Sequence, residues 1–281
     1  MWKALVILIL SAAIFLPAGY FCYDIFVRPN KEAKEDAKLP PATPPPDPSL
    51  SDFRRAEKLL ANGRTNEVKT ALESLMETYP QSTKLAEARQ MLGEVNVKLF
   101  YSKEPSSDKE LYTVRAGDAV AKIQRKFKTT PELLMRVNRI DDPRKLTIGQ
   151  TLIIVHPEFS VVIDRQEKTV TLFNHGKFFK EYKPVKWNTP VVKNPKPGTG
   201  KVVGKLAWKD GVMVAFGTKD YPDSLKWIQL SFPGHTFYCE TDDTADTAAA
   251  SDKPPTGIGF SREDSEELST MLGGGNPVTI K

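Results

Sequence analysis

Few residues in this 281-residue chain have side chains suited to nucleophilic, acid–base or metal chemistry: Cys22 and Cys239, with His156, His175 and His235. The histidines lie far apart in sequence and no Cys-x-x-Cys pair exists, so neither a metal cluster nor a cofactor is expected. Cys239 follows His235 by four residues. Along an extended strand such positions share a face but sit about 13 Å apart at ~3.3 Å per residue. A histidine activates a thiol only from about 3 Å. A turn at Thr236, or an approach of His175 through the fold, would be needed to make Cys239 a nucleophile. The other reading of a lone cysteine is an inert buried side chain. Charge is also segregated: Lys177 to Lys209 holds nine lysines and one acid, Glu181, whereas Glu240 to Glu267 holds nine acids against Lys253 and Arg262. These stretches read either as solvated faces that neutralise each other or as a basic surface for anionic polymers beside an acidic loop at 240–252.

The elements that must position these residues fall into five stretches. Hydrophobic residues make up 40% of the chain and charged residues 27%, a mix that excludes wholesale disorder. The length suits about two domains of ~100–200 residues. A net charge of +5 is diffuse, and without a nucleic-acid-binding motif no nucleic-acid partner is expected.

Ala4 to Tyr23 is a run of 20 uncharged residues, long enough as a helix to cross a ~30 Å hydrocarbon core. Trp2 and the Tyr20, Phe21, Tyr23 group suit interfacial aromatic belts. Residues 1–28 are therefore expected to be a membrane helix, with the membrane as a partner; the alternative is a signal peptide cleaved near Pro17-Ala18-Gly19. Cys22 is a poor lipoprotein cysteine, because Tyr20 and Phe21 occupy positions where small residues are expected. Arg28, Lys31, Lys34 and Lys38 would place the body in the cytoplasm by the positive-inside rule, in tension with the envelope location implied by the resemblances below. Residues 29–50 form a linker in which Leu39 to Pro48 carries six prolines in ten residues, a semi-rigid polyproline II spacer.

Residues 51–101 turn helical. Phe53, Ala56, Leu59 and Leu60 form one stripe, broken at Asn62-Gly63. Val68, Ala71, Leu72, Leu75 and Met76 form a second, closed by Tyr79-Pro80. Ser82 is placed to cap a third helix bearing Leu85, Ala86, Ala88, Leu92 and Val95. This text resembles a tetratricopeptide-like helical hairpin; an ordinary helical spacer is the alternative. One such unit cannot bury its own apolar face and must pack on a neighbour.

Residues 111–155 predict strand, helix, helix, strand. Tyr112 and Val114 alternate into a Gly117-Asp118 turn. Val120, Ile123 and Phe127 form a helical stripe, Thr130-Pro131-Glu132 opens a second helix with Leu133, Leu134 and Val137, and Gly149-Gln150 leads to a strand at Leu152. This order resembles the LysM family at Tyr112, Val114, Gly117, Asp118, Ile123, Leu133 or Leu134, Asn138, Gly149, Gln150 and Leu152. The family's usual Gly-Asp-Thr-Leu reads Gly117-Asp118-Ala119-Val120 here, one hydroxyl short. The resemblance implies binding of N-acetylglucosamine-containing polymers, chiefly peptidoglycan. It places the groove between Gly117, Asp118, Ala119 and Val120 on one side and Asn138, Arg139, Ile140 and Asp141 on the other. Gly117 and Asp118 also have a purely structural reading as turn and capping residues.

Residues 159–281 read as mostly β with one helix. Phe159–Ile163 and Thr169–Phe173 form a hairpin, further strands are expected at Phe178–Val185, Lys201–Leu206, Val212–Phe216 and Trp227–Phe232, a helix opens after Ser261, and Pro277–Ile280 closes the chain. The hairpin, Pro195–Gly200, Trp227-Ile228, Ser261–Leu268 and Asn276–Ile280 resemble the L,D-transpeptidase catalytic domain. That family carries its nucleophile in Ser-His-Gly-Cys-x-Arg ahead of the helix. Counted back from Leu268, the histidine, cysteine and arginine positions are Pro255, Gly257 and Gly259. Cys239 falls loosely where the family has another histidine.

The expected fold class is multidomain α+β: an N-terminal membrane helix, a helical hairpin segment, a βααβ LysM module and a mostly β L,D-transpeptidase-like domain with one helix. The expected function is a peptidoglycan-binding wall protein at the bacterial inner membrane, its body in the periplasm, whose reacting residues are absent and which scaffolds or regulates wall enzymes. The alternatives are an active transpeptidase or hydrolase using Cys239, and an adaptor for other cell-wall proteins through residues 52–97.

Overall fold

Three consecutive helices begin the folded body because each carries one apolar stripe. In this computed structural model, residues 47–188, 198–232, 235–240 and 256–281 are described, with Trp2, Tyr20, Phe21, Tyr23, Ile25 and Arg28. Helices α1 (Leu50–Ala61), α2 (Thr65–Thr78) and α3 (Leu85–Tyr101) bury Phe53, Ala56, Val68, Leu72, Leu75, Ala88, Leu92 and Val95 in one cluster. Ser82 does not cap α3. That helix opens after Lys84, and the Ser82 hydroxyl instead accepts the Lys84 N–H at 2.9 Å and meets Ser49 Oγ at 2.6 Å. At the other end, Lys109 Nζ donates to the carbonyls of Leu99 and Ser102, where a cation is favoured by the helix dipole.

The next segment pairs β1 (Lys109–Thr113) antiparallel with β2 (Thr151–Val155), in a register that sets Tyr112 opposite Leu152. Between them lie α4 (Val120–Lys126) and α5 (Pro131–Asn138). Thr130 caps α5 by accepting the Leu133 N–H, Pro131 occupies the first turn, and Arg139 closes the helix in the left-handed region at φ 55°, as capping chemistry directs.

The remaining strands are β3 (Phe159–Asp164), β4 (Thr169–Asn174), β5 (Lys177–Tyr182), β6 (Lys186–Asn188), β7 (Gly198–Lys209), β8 (Val212–Met213), β9 (Leu225–Leu230), β10 (Thr236–Cys239), β11 (Gly257–Phe260) and β12 (Pro277–Ile280). Their order across the sheet is β5-β4-β3-β12-β7-β9-β10-β11-β6, with β8 paired to β7. Strand β7 joins the two halves: Gly198–Lys201 pairs with β12, and Val202–Trp208 pairs with β9. Helix α6 (Arg262–Met271) packs on β9, β10 and β11, and Ser261 caps it by accepting the Asp264 N–H at 3.1 Å. Strands β6, β10 and β11 carry little sequence signal, being three or four residues long, with β11 reading Gly-Ile-Gly-Phe. Strand β10 pairs with the preceding strand β9, but β11 joins β10 to β6 from far earlier in the chain.

The segments share their interiors. Phe100 of α3, Leu133 and Val137 of α5 and Val155 of β2 are buried in the same cluster as the sheet residues Phe159, Ile228 and Phe260. Pro48–Lys281 accordingly forms one unit by contacts. Helix α3 lies on β5: Asn96 Nδ2 donates to the Phe179 carbonyl at 2.9 Å, and Phe178 packs against the helical cluster.

The expected membrane helix is corrected. Among the described residues, no helix is long and apolar enough to cross a membrane. An uncharged run is not by itself a continuous, predominantly apolar helix, which is what a membrane span requires. Most of 4–23, and the proline-rich stretch up to Pro46, lie outside the described residues.

The α3–β5 contact depends on a missing side chain. A Cβ on Gly93 would sit 2.9 Å from Lys180 Cγ and 3.4 Å from Lys180 Cα. Gly93→Leu should therefore push the helix off β5 and destabilise the fold by about 1–3 kcal/mol, the usual cost of overpacking. The measurement is a lowered thermal unfolding midpoint; an unchanged midpoint would mean that α3 does not dock here.

Candidate functional site

The two loops assigned to the groove lie at one end of the βααβ segment, where Val120 and Ile140 belong to a single apolar cluster. Their side chains divide sharply by role. Val120 is buried. Asp118 accepts hydrogen bonds from the Arg115 N–H at 2.8 Å and the Tyr112 hydroxyl at 2.7 Å, which hold its carboxyl below the ordinary range. Asn138 donates to the carbonyls of Leu134 and Ile153 and accepts the Ile153 N–H at 2.7 Å, tying α5 to β2. Gly117 turns the chain at φ 81°, a conformation natural to glycine. Ala119 is the N-cap of α4 and offers no side-chain oxygen to it. The groove residues left exposed are Gly117, Ala119, Arg139 and Asp141, so the outward chemistry is backbone polar groups, one guanidinium and one carboxylate. Beyond Asp141, Arg144 clamps Asp142 with two hydrogen bonds of 2.9 Å and lowers its carboxyl to about 2.

The second candidate site lies where β10 and β11 run parallel, Phe237 opposite Ile258 and Cys239 opposite Phe260. Cys239 is buried, and its thiol contacts the Glu240 carbonyl at 3.7 Å. Burial pushes this thiol up to about 11; the nearby Arg262 charge opposes the shift and Glu266 and Glu240 add to it. A thiol so placed is protonated at neutral pH and is a poor nucleophile. The described histidines are elsewhere: His156 faces Glu110 at 3.4 Å, His175 lies between Asp108 and Glu158 in the β4–β5 turn, and buried His235 precedes β10.

Gly257, the cysteine position of the resembled motif, has φ 149°, and a Cβ there would fall 2.0 Å from the Thr236 carbonyl oxygen and 2.6 Å from the Thr236 nitrogen. These are backbone atoms of a paired neighbour, so no side chain fits. At Gly259, the arginine position, a Cβ would meet the Tyr238 ring at 3.0 Å and Lys186 Cβ at 3.1 Å. Pro255 lies outside the described residues. Among the described residues, no group of three His, Cys, Asp or Glu side chains is placed to hold a metal ion.

Residues 112–155 match the LysM domain family. They form a LysM domain. No curated protein sequence matches the chain. Similar solved structures include a fused zinc-dependent amidase/peptidase/peptidoglycan-binding domain-containing protein from Clostridium acetobutylicum, at 15% identity, TM-score 0.30, with 44% of this chain and 52% of that one covered. An L,D-transpeptidase from Mycobacterium smegmatis is similar at 13% identity and TM-score 0.30, over 48% of this chain and 64% of the other. An Enterococcus faecium L,D-transpeptidase mutant is similar at 14% identity and TM-score 0.30, over 44% and 50%. The chain thus spans less than two thirds of the length of each.

The LysM domain is fixed to the sheet by polar contacts that sequence reading did not find. Glu132 accepts from Lys205 Nζ at 2.9 Å and from the Tyr221 hydroxyl at 2.5 Å, and the Thr130 hydroxyl donates to the Thr270 carbonyl at 2.6 Å. Beside Cys239, buried Lys226 donates to the carbonyls of Tyr221 and Ser224 and to Glu266. A lysine inside a strand that otherwise reads Leu-Lys-Trp-Ile-Gln-Leu gives no warning of this. The segregated charges meet in part: Lys180 pairs with Glu267 at 2.7 Å, and Lys186 with Glu240 at 2.5 Å.

With its thiol at about 11, Cys239 of the native chain should react with iodoacetamide at pH 8 about a hundredfold more slowly than an exposed cysteine, in proportion to thiolate fraction. Peptide mapping separates its labelling from that of Cys22. Rapid labelling before unfolding would contradict the burial.

Proposed function

We propose that this chain is a bacterial cell-envelope protein that binds peptidoglycan through its LysM domain and carries an L,D-transpeptidase-like domain that no longer performs the family's acyl transfer. Its role in this reading is to recognise the wall and to scaffold or regulate the enzymes that act on it. The Gly257 geometry carries the loss of chemistry. The family's reaction needs a thiolate at that position to attack a stem-peptide carbonyl, and a Cβ placed there would lie 2.0 Å from a backbone oxygen. The backbone itself, and not only the residue type, is set against a nucleophile. Resemblance of fold does not carry activity when the reacting groups are missing. Peptidoglycan recognition is supported by the LysM match at 112–155 and by the four exposed positions Gly117, Ala119, Arg139 and Asp141 at the groove.

The competing reading, catalysis by Cys239, requires a base beside the thiol. The charged groups acting on it are Arg262, Glu266, Glu240 and Lys226, none of which is a histidine.

The full chain mixed with insoluble peptidoglycan should co-sediment with it, and mass spectrometry of the digested wall should find no new or exchanged stem-peptide links. Failure to sediment would remove the recognition role; new links that vanish with Cys239→Ala would establish catalysis at the displaced cysteine. Gly257→Cys is expected to gain no cross-linking activity and to lower the unfolding midpoint, since its Cβ must displace the Thr236 backbone. Recovery of cross-linking in that variant would mean that the site is substituted rather than closed.

A further inference from the structure

The LysM groove does not end at its own loops. A cavity of about 250 Å³ is shared between the loop after α5 and the segment between β8 and β9, with Met135, Asp141 and Arg144 on one side and Phe216, Thr218 and Tyr221 on the other. Asp141 belongs both to this cavity and to the groove residues named above. The two walls lie close together: a Cβ added at Gly217 would lie 3.4 Å from Pro143 Cγ. The volume falls just under the ~300 Å³ at which pockets for drug-sized ligands begin, a size suited to a single sugar residue.

The far wall is held rigidly. The Tyr221 hydroxyl donates to Glu132 of the LysM domain at 2.5 Å, and Lys226 Nζ donates to the Tyr221 carbonyl at 2.7 Å. Lys209 pairs with Asp220 at 2.8 Å, and Arg262 donates to the Asp223 carbonyl at 2.8 Å. Against this frame Tyr221 supports Phe216 edge to face, with ring centroids 5.1 Å apart, and Phe216 remains 36% exposed. A fixed, partly exposed aromatic ring is a ready platform for the C–H face of a pyranose. The carboxylate of Asp141 is exposed at the rim, where it can accept hydrogen bonds from hydroxyl and amide groups. An apolar surface with a few convergent polar groups is the usual make-up of a ligand site, and a wall fixed beforehand loses little freedom on binding.

We propose that Phe216, carried by the sheet domain, forms with Asp141 an additional subsite that extends the LysM groove and takes a further sugar of the same N-acetylglucosamine-containing glycan. The proposal rests on the LysM domain binding such a glycan. It gives the sheet domain a role in substrate recognition that requires no chemistry from it, and it explains why the β8–β9 segment is tied to Glu132.

The test is a titration of the full chain with N-acetylglucosamine oligomers of two to six sugars. Affinity should keep rising with length, and Phe216→Ala should weaken the longest oligomers about two- to twelvefold, the worth of one aromatic contact, while leaving the shortest unchanged. Phe216→Trp, which keeps an aromatic face, should retain the length dependence. Equal affinities of the native chain and Phe216→Ala at every length would overturn the subsite and leave the LysM reading standing. An equal loss at every length would also overturn it, because Phe216 would then act on the groove itself. No binding of any oligomer by the native chain would overturn both.

Discussion

Helix α5 is buried on two sides, and the arrangement of the folded body follows from that. Leu134 enters the interior of the LysM domain, while Leu133 and Val137 enter the interior of the large sheet. An eight-residue helix cannot satisfy one core by exposing the other without returning apolar side chains to water, at roughly 1.5–3 kcal/mol for each fully buried one. Thr130 and Glu132, at the start of the same helix, bond to Thr270 and to Lys205 and Tyr221. The apolar contact sets the distance between the LysM domain and the sheet, and the polar contacts set its orientation. Helix α3 also enters the shared interior, through Phe100 and Asn96, with Gly93 allowing close approach to β5.

This rigid fusion bears on function. A glycan-binding loop attached by a flexible tether would meet the sheet domain at random. Here Asp141 and Phe216 line the same cavity. The β8–β9 segment that carries Phe216 is held at Asp220, Tyr221 and Asp223 by side chains from β7, α5, β9 and α6. In the proposed reading the sheet domain is a mount for a recognition surface.

The region around β10 and β11 is given over to packing. Gly257 and Gly259 let three short strands approach closely, and Ile258 and Phe260 fill the core between them. Cys239 is buried beside them, Lys226 pairs with Glu266, and Arg262 donates to the Asp223 carbonyl. Glu267, nearly buried, is compensated by Lys180 and the Tyr182 hydroxyl, each at 2.7 Å. Buried charges require such partners, and here those partners fasten α6 to β5.

Local sequence fixed much of this chain's architecture. The apolar stripes of α1 to α3, the strand–helix–helix–strand order of 109–155, the β3–β4 hairpin and the Ser261 cap are written in local periodicity, turn and capping residues, which made them legible, although the β1–β2 pairing itself joins Lys109 to Val155. The absence of a cysteine at Gly257 was equally plain. Absence of charge over 4–23 was a weaker guide, since it does not by itself specify a continuous apolar helix. Strands β6, β10 and β11 were not legible, because short segments such as Gly257–Phe260 become strands only by pairing with neighbours brought in from far along the chain. The turn role of Asp118, bonded to nearby Arg115 and Tyr112, was readable, whereas the reach of Asn138 from α5 to Ile153 of β2 was not. Nor could sequence place Tyr221 against Glu132, bring Phe216 to the edge of the LysM groove, or close the space above Gly257 with the backbone of Thr236. Each of these depends on atoms separated by many residues, whose meeting is decided by tertiary packing alone.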